Sequence, residues 1–426
     1  MRYTGFPTPR RIAVPRCWPL VAAIAMLPAG PAWAETLTLP QSVARAAATQ
    51  PDVLQAGVDE ALADAQLDTT RAGLRPTVGL ETSVLGTSTR SGDLDFVANN
   101  APWETRAQVV GRWALDNGQL AARLRQAEAE RMAARWAAAG ARQAVARRAV
   151  DAYFEVLKAQ GARAILAVAL HDAEVQLNAS RVRFNAGTVA RLEPSQAEQA
   201  VAAQQAAIAG AEADLAAARA RFQMLTGVGD DFLLAMPAGL PAPDVAVAVA
   251  RPDVEAARAL LEARHHEQAA AGLARRPQLA LNSAVGWDTA GLPGPQQLGG
   301  SLGVDFGWPF YQGGLLDAQA RVAELGARKA ELEVRRVQQV AALEVSDARA
   351  ALAKATAQVK ALERARGLAD KTLSMAKFGY GEGSTSLLEV FLARRTALDA
   401  RLAAEAVRLE AHAAQARLRL AMGGTL

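Results

Sequence analysis

No proline separates Pro102 from Pro194, and none follows Pro309 to the end of the 426-residue chain. A proline inside a helix removes one hydrogen bond and clashes with the preceding turn, so a helix can run uninterrupted through these two stretches. Both are rich in alanine. In AELGARKAELEVRRVQQVAALEVSDARAALAKATAQVKAL, charges of both signs surround Leu325, Leu332, Val337 and Leu343. The pattern predicts long helices over about 118–182 and 314–377. A helix of ~65 residues is ~100 Å long at 1.5 Å per residue. A globular core of this size cannot cover it, so such helices belong to a coiled coil or a helical tube. Several shorter helices with unmarked breaks are the alternative these residues leave open.

The chain also repeats itself once, which constrains the fold before any motif does. Pro51-Asp52-Val53 recurs as Pro252-Asp253-Val254, and Arg75-Pro76 as Arg276-Pro277. WALDNGQL (113–120) recurs as WPFYQGGL (308–315), and RFNAG (183–187) as KFGYG (377–381). The repeats predict two copies of one plan, over 35–227 and 251–426. Residues 228–250, rich in Pro, Gly and Asp, join them. Each copy reads as a moderate helix (about 40–73 and 251–274), two short strands, the long helix, a glycine-containing turn and a final helix (about 193–226 and 386–421).

The strands carry the second signal. In GGSLGVDFGWPFYQGG (299–314), Leu302, Val304, Phe306 and Trp308 alternate with Gly303, Asp305 and Gly307. TVGLETSVLG sets Val78, Leu80 and Val84 opposite Gly79, Glu81 and Ser83. TRAQVVGRWAL sets Val109, Trp113 and Leu115 opposite Arg106, Gln108 and Arg112. RPQLALNSAVGW sets Leu279, Leu281, Val285 and Trp287 opposite Ala280, Asn282 and Ala284. These segments form hairpins at about 77–115 and 278–309. A two-faced soluble sheet shares the period of two. The length near ten residues, and Trp103, Trp113, Trp287 and Trp308 in or beside the hairpins, match transmembrane β-strands with an aromatic girdle. The large residues then face lipid, while Glu81, Arg106, Gln108, Arg112, Asn282 and Asp305 face a lumen. Four strands cannot close a barrel, and an open edge in lipid strands backbone groups at several kcal/mol each. Several copies must therefore share one barrel.

The start of the chain agrees. Arg2, Arg10, Arg11 and Arg16 precede the apolar run 20–27, and Ala32 and Ala34 frame a cleavage site, so residues 1–34 read as a secretory signal peptide. Its removal takes four of the 47 basic residues and no acidic one, which leaves 43 against 43. The high isoelectric point therefore belongs to the leader and gives no argument for a nucleic-acid partner. Cys17 leaves with it, which excludes disulfides and thiolate chemistry from the mature chain. His171, His265, His266 and His412 show no metal-ligand spacing, and no catalytic or cofactor-binding motif appears. No enzyme, cofactor or metal is expected.

Taken together, the duplication, the WPFYQGGLL turn into a long helix, RFNAGTVARLEPSQAE (183–198) and FGYGEGSTSLLEVFLARRTALDAR (378–401) resemble the TolC family of outer-membrane efflux and secretion channels. The likeness covers almost the whole mature chain. It implies a mainly α protein with a small transmembrane β portion, assembled as a homotrimer with a twelve-stranded β-barrel continued by a long periplasmic α-helical barrel. It also implies a periplasmic adaptor (membrane fusion) protein and an inner-membrane pump, of the resistance-nodulation-division or ABC type, as partners. The function implied is passive export in a tripartite efflux or type I secretion system. In the family the helix-turn-helix tips form the periplasmic entrance and adaptor contact, here Gly187, Thr188, Gly381, Gly383 and Ser384. The glycines are expected to supply positive φ for tight turns. Where the family often places aspartates this chain has Leu387-Leu388-Glu389-Val390, so Glu193, Glu382 and Glu389 are the candidate entrance carboxylates. Pairing of Glu389 with Arg394 or Arg395 is the alternative. The LLEVFLARR tip looks like heavy-metal efflux members, while drugs and polypeptides stay open as cargo. A non-transporting trimeric coiled-coil envelope protein and a periplasmic adaptor are the rival readings of the whole chain.

Overall fold

A computed structural model describes residues 35–86, 103–236, 250–290 and 297–426. The expected signal peptide, Cys17 included, lies outside the described residues, as does most of the expected linker. The first strand, β1 (Glu35–Leu37), is followed by α1 (Leu39–Thr49), α2 (Pro51–Ala72), β2 (Thr77–Gly86) and β3 (Trp103–Leu115). Then come α3 (Gln119–Asn185), α4 (Leu192–Thr226) and β4 (Phe232–Leu234). The second half comprises α5 (Pro252–Leu273), β5 (Gln278–Ala290), β6 (Gln297–Gly307), α6 (Leu315–Gly381) and α7 (Leu387–Ala421).

Both proline-free stretches fold as single helices: α3 and α6 are 67 residues each. Each starts after a glycine in the left-handed region, Gly118 at φ 94° and Gly314 at φ 85°. The Asp116 carboxylate accepts hydrogen bonds from the Gly118 and Leu120 amides and so caps α3. The expected helix over 40–73 is instead two. Gln50, the residue before Pro51, sits at φ −73° and ψ 128°, because the proline ring crowds a helical neighbour. A short parallel pair was not expected either: β1 runs beside β4, Glu35 against Phe232 and Leu37 against Leu234.

The main sheet has the order β2-β3-β5-β6, antiparallel throughout. The helices keep that order. On the sheet side, α2 packs on α3, α3 on α5 and α5 on α6. Toward the other end, α4 packs on α3, α3 on α7 and α7 on α6. Ion pairs mark the two levels. Asp64 and Asp52 of α2 meet Arg131 and Arg148 in the first half of α3. Glu212 and Glu198 of α4 meet Arg163 and Arg181 in its second half. These pairs are mostly exposed and contribute about 0–1 kcal/mol each. The protein is thus a wall four elements wide, strands at one end and helix hairpins at the other.

The largest buried cluster lies where the two levels meet. Tyr153 and Phe154 of α3 pack on Phe222 of α4 and Phe232 of β4, with Leu37, Val145, Val150 and Leu409 around them. The Tyr153 ring is edge-on to Phe154 at 5.6 Å between centroids. Its hydroxyl donates to the Ala235 carbonyl, with the Leu37 carbonyl at 3.3 Å. Burial pushes the Tyr153 pKa up to about 12. Beside this cluster, buried Arg251 binds Asp253 at 2.7 Å and Glu344 at 2.8 Å and donates to the Ala421 carbonyl. It ties the start of α5 to α6 and to the end of α7.

Candidate functional site

The four-stranded sheet gathers most of its polar side chains on one face and most of its large apolar ones on the other. In register, Thr77 stands opposite Arg112, Arg112 opposite Asn282, and Asn282 opposite Gly303. The next row but one but on the same face joins Glu81, Gln108, Gly286 and Gly299. Asn282 donates a hydrogen bond to the Asp305 carboxylate on this face. A recess of about 620 Å³ runs along it, reaching Glu81, Arg112, Asn282, Ser301 and Asp305. The opposite face carries Val78, Leu80, Val109, Leu279, Leu302 and Phe306, and is left open, with Val78 and Leu302 each 75% exposed. A Cβ at Gly286 would sit 2.2 Å from the Ala107 carbonyl oxygen, so only glycine lets β3 and β5 approach there. Both outer strands, β2 and β6, have one unpaired edge among the described residues.

Aromatic side chains gather at the ends of the strands. At the helix end, Trp113 donates from Nε1 to the Leu74 carbonyl at 3.1 Å. Trp308, just after β6, packs edge-on to Phe310 at 6.3 Å. Phe310 and Tyr311 are 84% and 81% exposed. Trp287 lies near the far end of β5, paired with Ala107. Trp103 begins β3 opposite Gly86, and its side chain lies outside the described residues.

At the other end of the wall, both long helices finish in the same turn. Gly187 at φ 74° donates to the Phe184 carbonyl, and Thr188 to the Arg183 carbonyl. Gly383 at φ 75° donates to the Tyr380 carbonyl, and Ser384 to the Gly379 carbonyl. Both are Schellman motifs, in which a left-handed residue satisfies the last helical carbonyls. This corrects one expectation. Gly381 is not a positive-φ turn residue. It is the last residue of α6, and Gly383 is the partner of Gly187. The correspondence of RFNAG with KFGYG is two residues out of step with the turn itself, which pairs Gly187 with Gly383.

The tips are joined across the repeat. The Tyr380 hydroxyl of α6 donates to Glu193 of α4 at 2.8 Å. The Arg183 guanidinium of α3 lies 4.8 Å from the centre of the Tyr380 ring, a cation–π contact. Burial, and then the Glu193 carboxylate, push the Tyr380 pKa up, while Arg183 opposes them. Glu193, expected as an open entrance carboxylate, is therefore half of this link. Glu389 pairs with neither Arg394 nor Arg395 among the described residues. It accepts from the Ser386 amide at 3.0 Å while its own amide donates to Ser386 Oγ, a capping box at the start of α7. Arg394 instead donates to the Asp172 carbonyl of α3, and burial lowers its pKa. Glu382 is exposed at the end of α6. Tyr380 and Arg183 were missed from the sequence, because nothing local distinguishes a link between residues so far apart in the chain.

The sequence profile of the family described as outer membrane efflux protein matches residues 43–228 and 246–424. The chain belongs to that family. A search of curated proteins finds no match. Among solved structures it is similar to CusC at 21% identity, with 91% of this chain and 92% of that one covered and a TM-score of 0.81. It is similar to the Campylobacter jejuni CmeC outer membrane channel at 19% identity, covering 91% and 86%, with a TM-score of 0.80. VceC of Vibrio cholerae follows at 20% identity, covering 91% and 96%, with a TM-score of 0.77. This outer-membrane efflux protein therefore has the TolC-like protomer fold and resides in the bacterial outer membrane, with a large periplasmic helical part. Among the described residues no helix is long and apolar enough to cross a membrane.

Proposed function

We propose that three copies close into one continuous tube that serves as a passive export duct, fed by an inner-membrane pump through a periplasmic adaptor. One observation carries this reading. The wall has the same open edge along its whole length: β2, α2 and α4 on one side, β6 and α6 on the other. An interface between two different edges closes into a ring when its rotation allows, and in lipid the open strand edges leave no other way to pair their backbone groups. Three is the number the family resemblance implies, giving twelve strands. The polar face with Glu81, Arg106, Gln108, Arg112, Asn282 and Asp305 then lines the lumen. The apolar face meets lipid between aromatic residues, with Trp113 and Trp308 on the periplasmic side and Trp287 toward the outer side.

At the periplasmic tips, the link from Glu193 through Tyr380 to Arg183 holds the two hairpins side by side and narrows the entrance. Glu193 and Glu382 are its carboxylates, and Thr188 and Ser384 its adaptor-facing residues. Reconstitution of the mature protein in planar bilayers tests the reading. The expected result is a small single-channel conductance that rises in Tyr380→Phe, which keeps the ring and loses the hydrogen bond. A protein that inserts and conducts nothing, in either form, would refute the duct.

A further inference from the structure

The two repeats correspond residue by residue through their hairpins. The first strand shifts by 201 residues, as Pro76 to Pro277, and the second by 195, as Trp113 to Trp308. These shifts carry one hairpin register onto the other. Thr77 opposite Arg112 becomes Gln278 opposite Gly307, and Leu80 opposite Val109 becomes Leu281 opposite Val304. The middle of the sheet is a different contact. There β3 of the first repeat meets β5 of the second, with Val109 opposite Val285 and Trp113 opposite Leu281. Next to it, the Asn117 side chain donates to the Pro277 carbonyl at 3.1 Å, and α3 packs on α5. This is an inner seam between repeats. The outer edges of β6 and β2 are the two halves of an equivalent seam that one chain cannot close by itself.

The same shifts turn the inner seam into an outer one. Val109 opposite Val285 becomes Val304 opposite Val84, and Trp113 opposite Leu281 becomes Trp308 opposite Leu80. Each pair keeps its residue types, and all four outer side chains are exposed in the single chain. Gln312 replaces Asn117 and carries the same side-chain amide, while Pro76 replaces Pro277. The helices agree. Lying between α3 and α6, α5 buries Ala263 and Ala270, whereas Leu62 and Thr69, at the equivalent positions of α2, are exposed. We infer that the seam between copies reproduces the seam within the chain. In it β6 of one copy pairs antiparallel with β2 of the next, Val304 opposite Val84 and Trp308 opposite Leu80, and the Gln312 amide binds the Pro76 carbonyl of the next copy. The inference rests on the ring closure proposed above and adds the register to it. A slip of two residues keeps the same faces but loses both matched pairs at once.

Cysteine pairs read this register directly, since residues 35–426 contain no cysteine of their own. Directly opposed Cα atoms lie about 4.5–5.5 Å apart, within disulfide reach, and a two-residue slip moves them beyond about 7 Å. The main variant combines Val84→Cys with Val304→Cys. Two others, for slips in either direction, combine Val84→Cys with Leu302→Cys or with Phe306→Cys. Each mature protein is purified in detergent, mildly oxidised and run on a denaturing gel without reductant. The main variant should run as a covalent trimer, with about tenfold more crosslink than either slipped pair. Val84→Cys or Val304→Cys alone should give none, because an interface between two different edges never brings two copies of one residue together. Co-expressed single variants give a second reading, a covalent dimer holding one chain of each. A slipped pair that crosslinks best, or a single variant that crosslinks with itself, overturns the register. So does a protein that light scattering shows to be a trimer and that no pair crosslinks. A wild type that is a monomer by light scattering overturns the ring itself, and the seam falls with it.

Discussion

Tyr153 shows how one side chain can hold several segments. Its ring is buried between α3, α4 and β4, and its hydroxyl reaches the carbonyls of Leu37, the last residue of β1, and Ala235, just after β4. With the pKa raised from 10.0 to about 12, the neutral hydroxyl is the form the fold retains. The stability it contributes is therefore fully present below pH 10 and is lost as pH rises through about 12, at about 1.4 kcal/mol per pH unit. Thermal unfolding across that range should show the loss in the wild type. Tyr153→Phe should be less stable at neutral pH by about 1–3 kcal/mol, because carbonyls lose a buried donor, and its midpoint should fall less over the same range. Equal alkaline slopes in the two proteins would assign the loss to other groups. None of this was visible in the sequence, since Tyr153 lies in an alanine-rich helix whose partners are distant segments.

Among the elements, those with local causes were legible. Proline placement and alternation located the four long helices and four main strands within a few residues, because a helix interior excludes proline and a two-faced strand repeats every second residue. The failures were of two kinds. The Gln50-Pro51 break and the Ser386–Glu389 capping box were written in local motifs and passed over. The β1–β4 pair and the Glu193–Tyr380 link depend on tertiary approach and carry no local mark. The corrected turn register makes a sharp prediction. Gly383→Ala forces an alanine to φ near 75° and should cost about 1–2 kcal/mol in unfolding free energy. Gly381→Ala, inside α6 with open space at its Cβ, should be neutral or stabilising by up to about 1 kcal/mol. The reverse order of the two variants would restore Gly381 as the turn residue.

For the whole molecule, the lateral order of the strands and of the helices is one order, and that agreement is what makes the chain a wall segment rather than a closed domain. A closed fold would cover its edge strands and its apolar sheet face, whereas here Val78, Leu80, Leu302, Val304 and Phe306 all remain open. The residues of the candidate lumen were legible because face follows parity along a strand. The tip chemistry was not, because it arises only when two repeats are laid side by side. The mass of the mature protein in detergent, measured by light scattering with the detergent contribution subtracted, tests the central claim most directly. Three chains per particle is the predicted result, and a single chain that stays dispersed after the detergent is removed would contradict it.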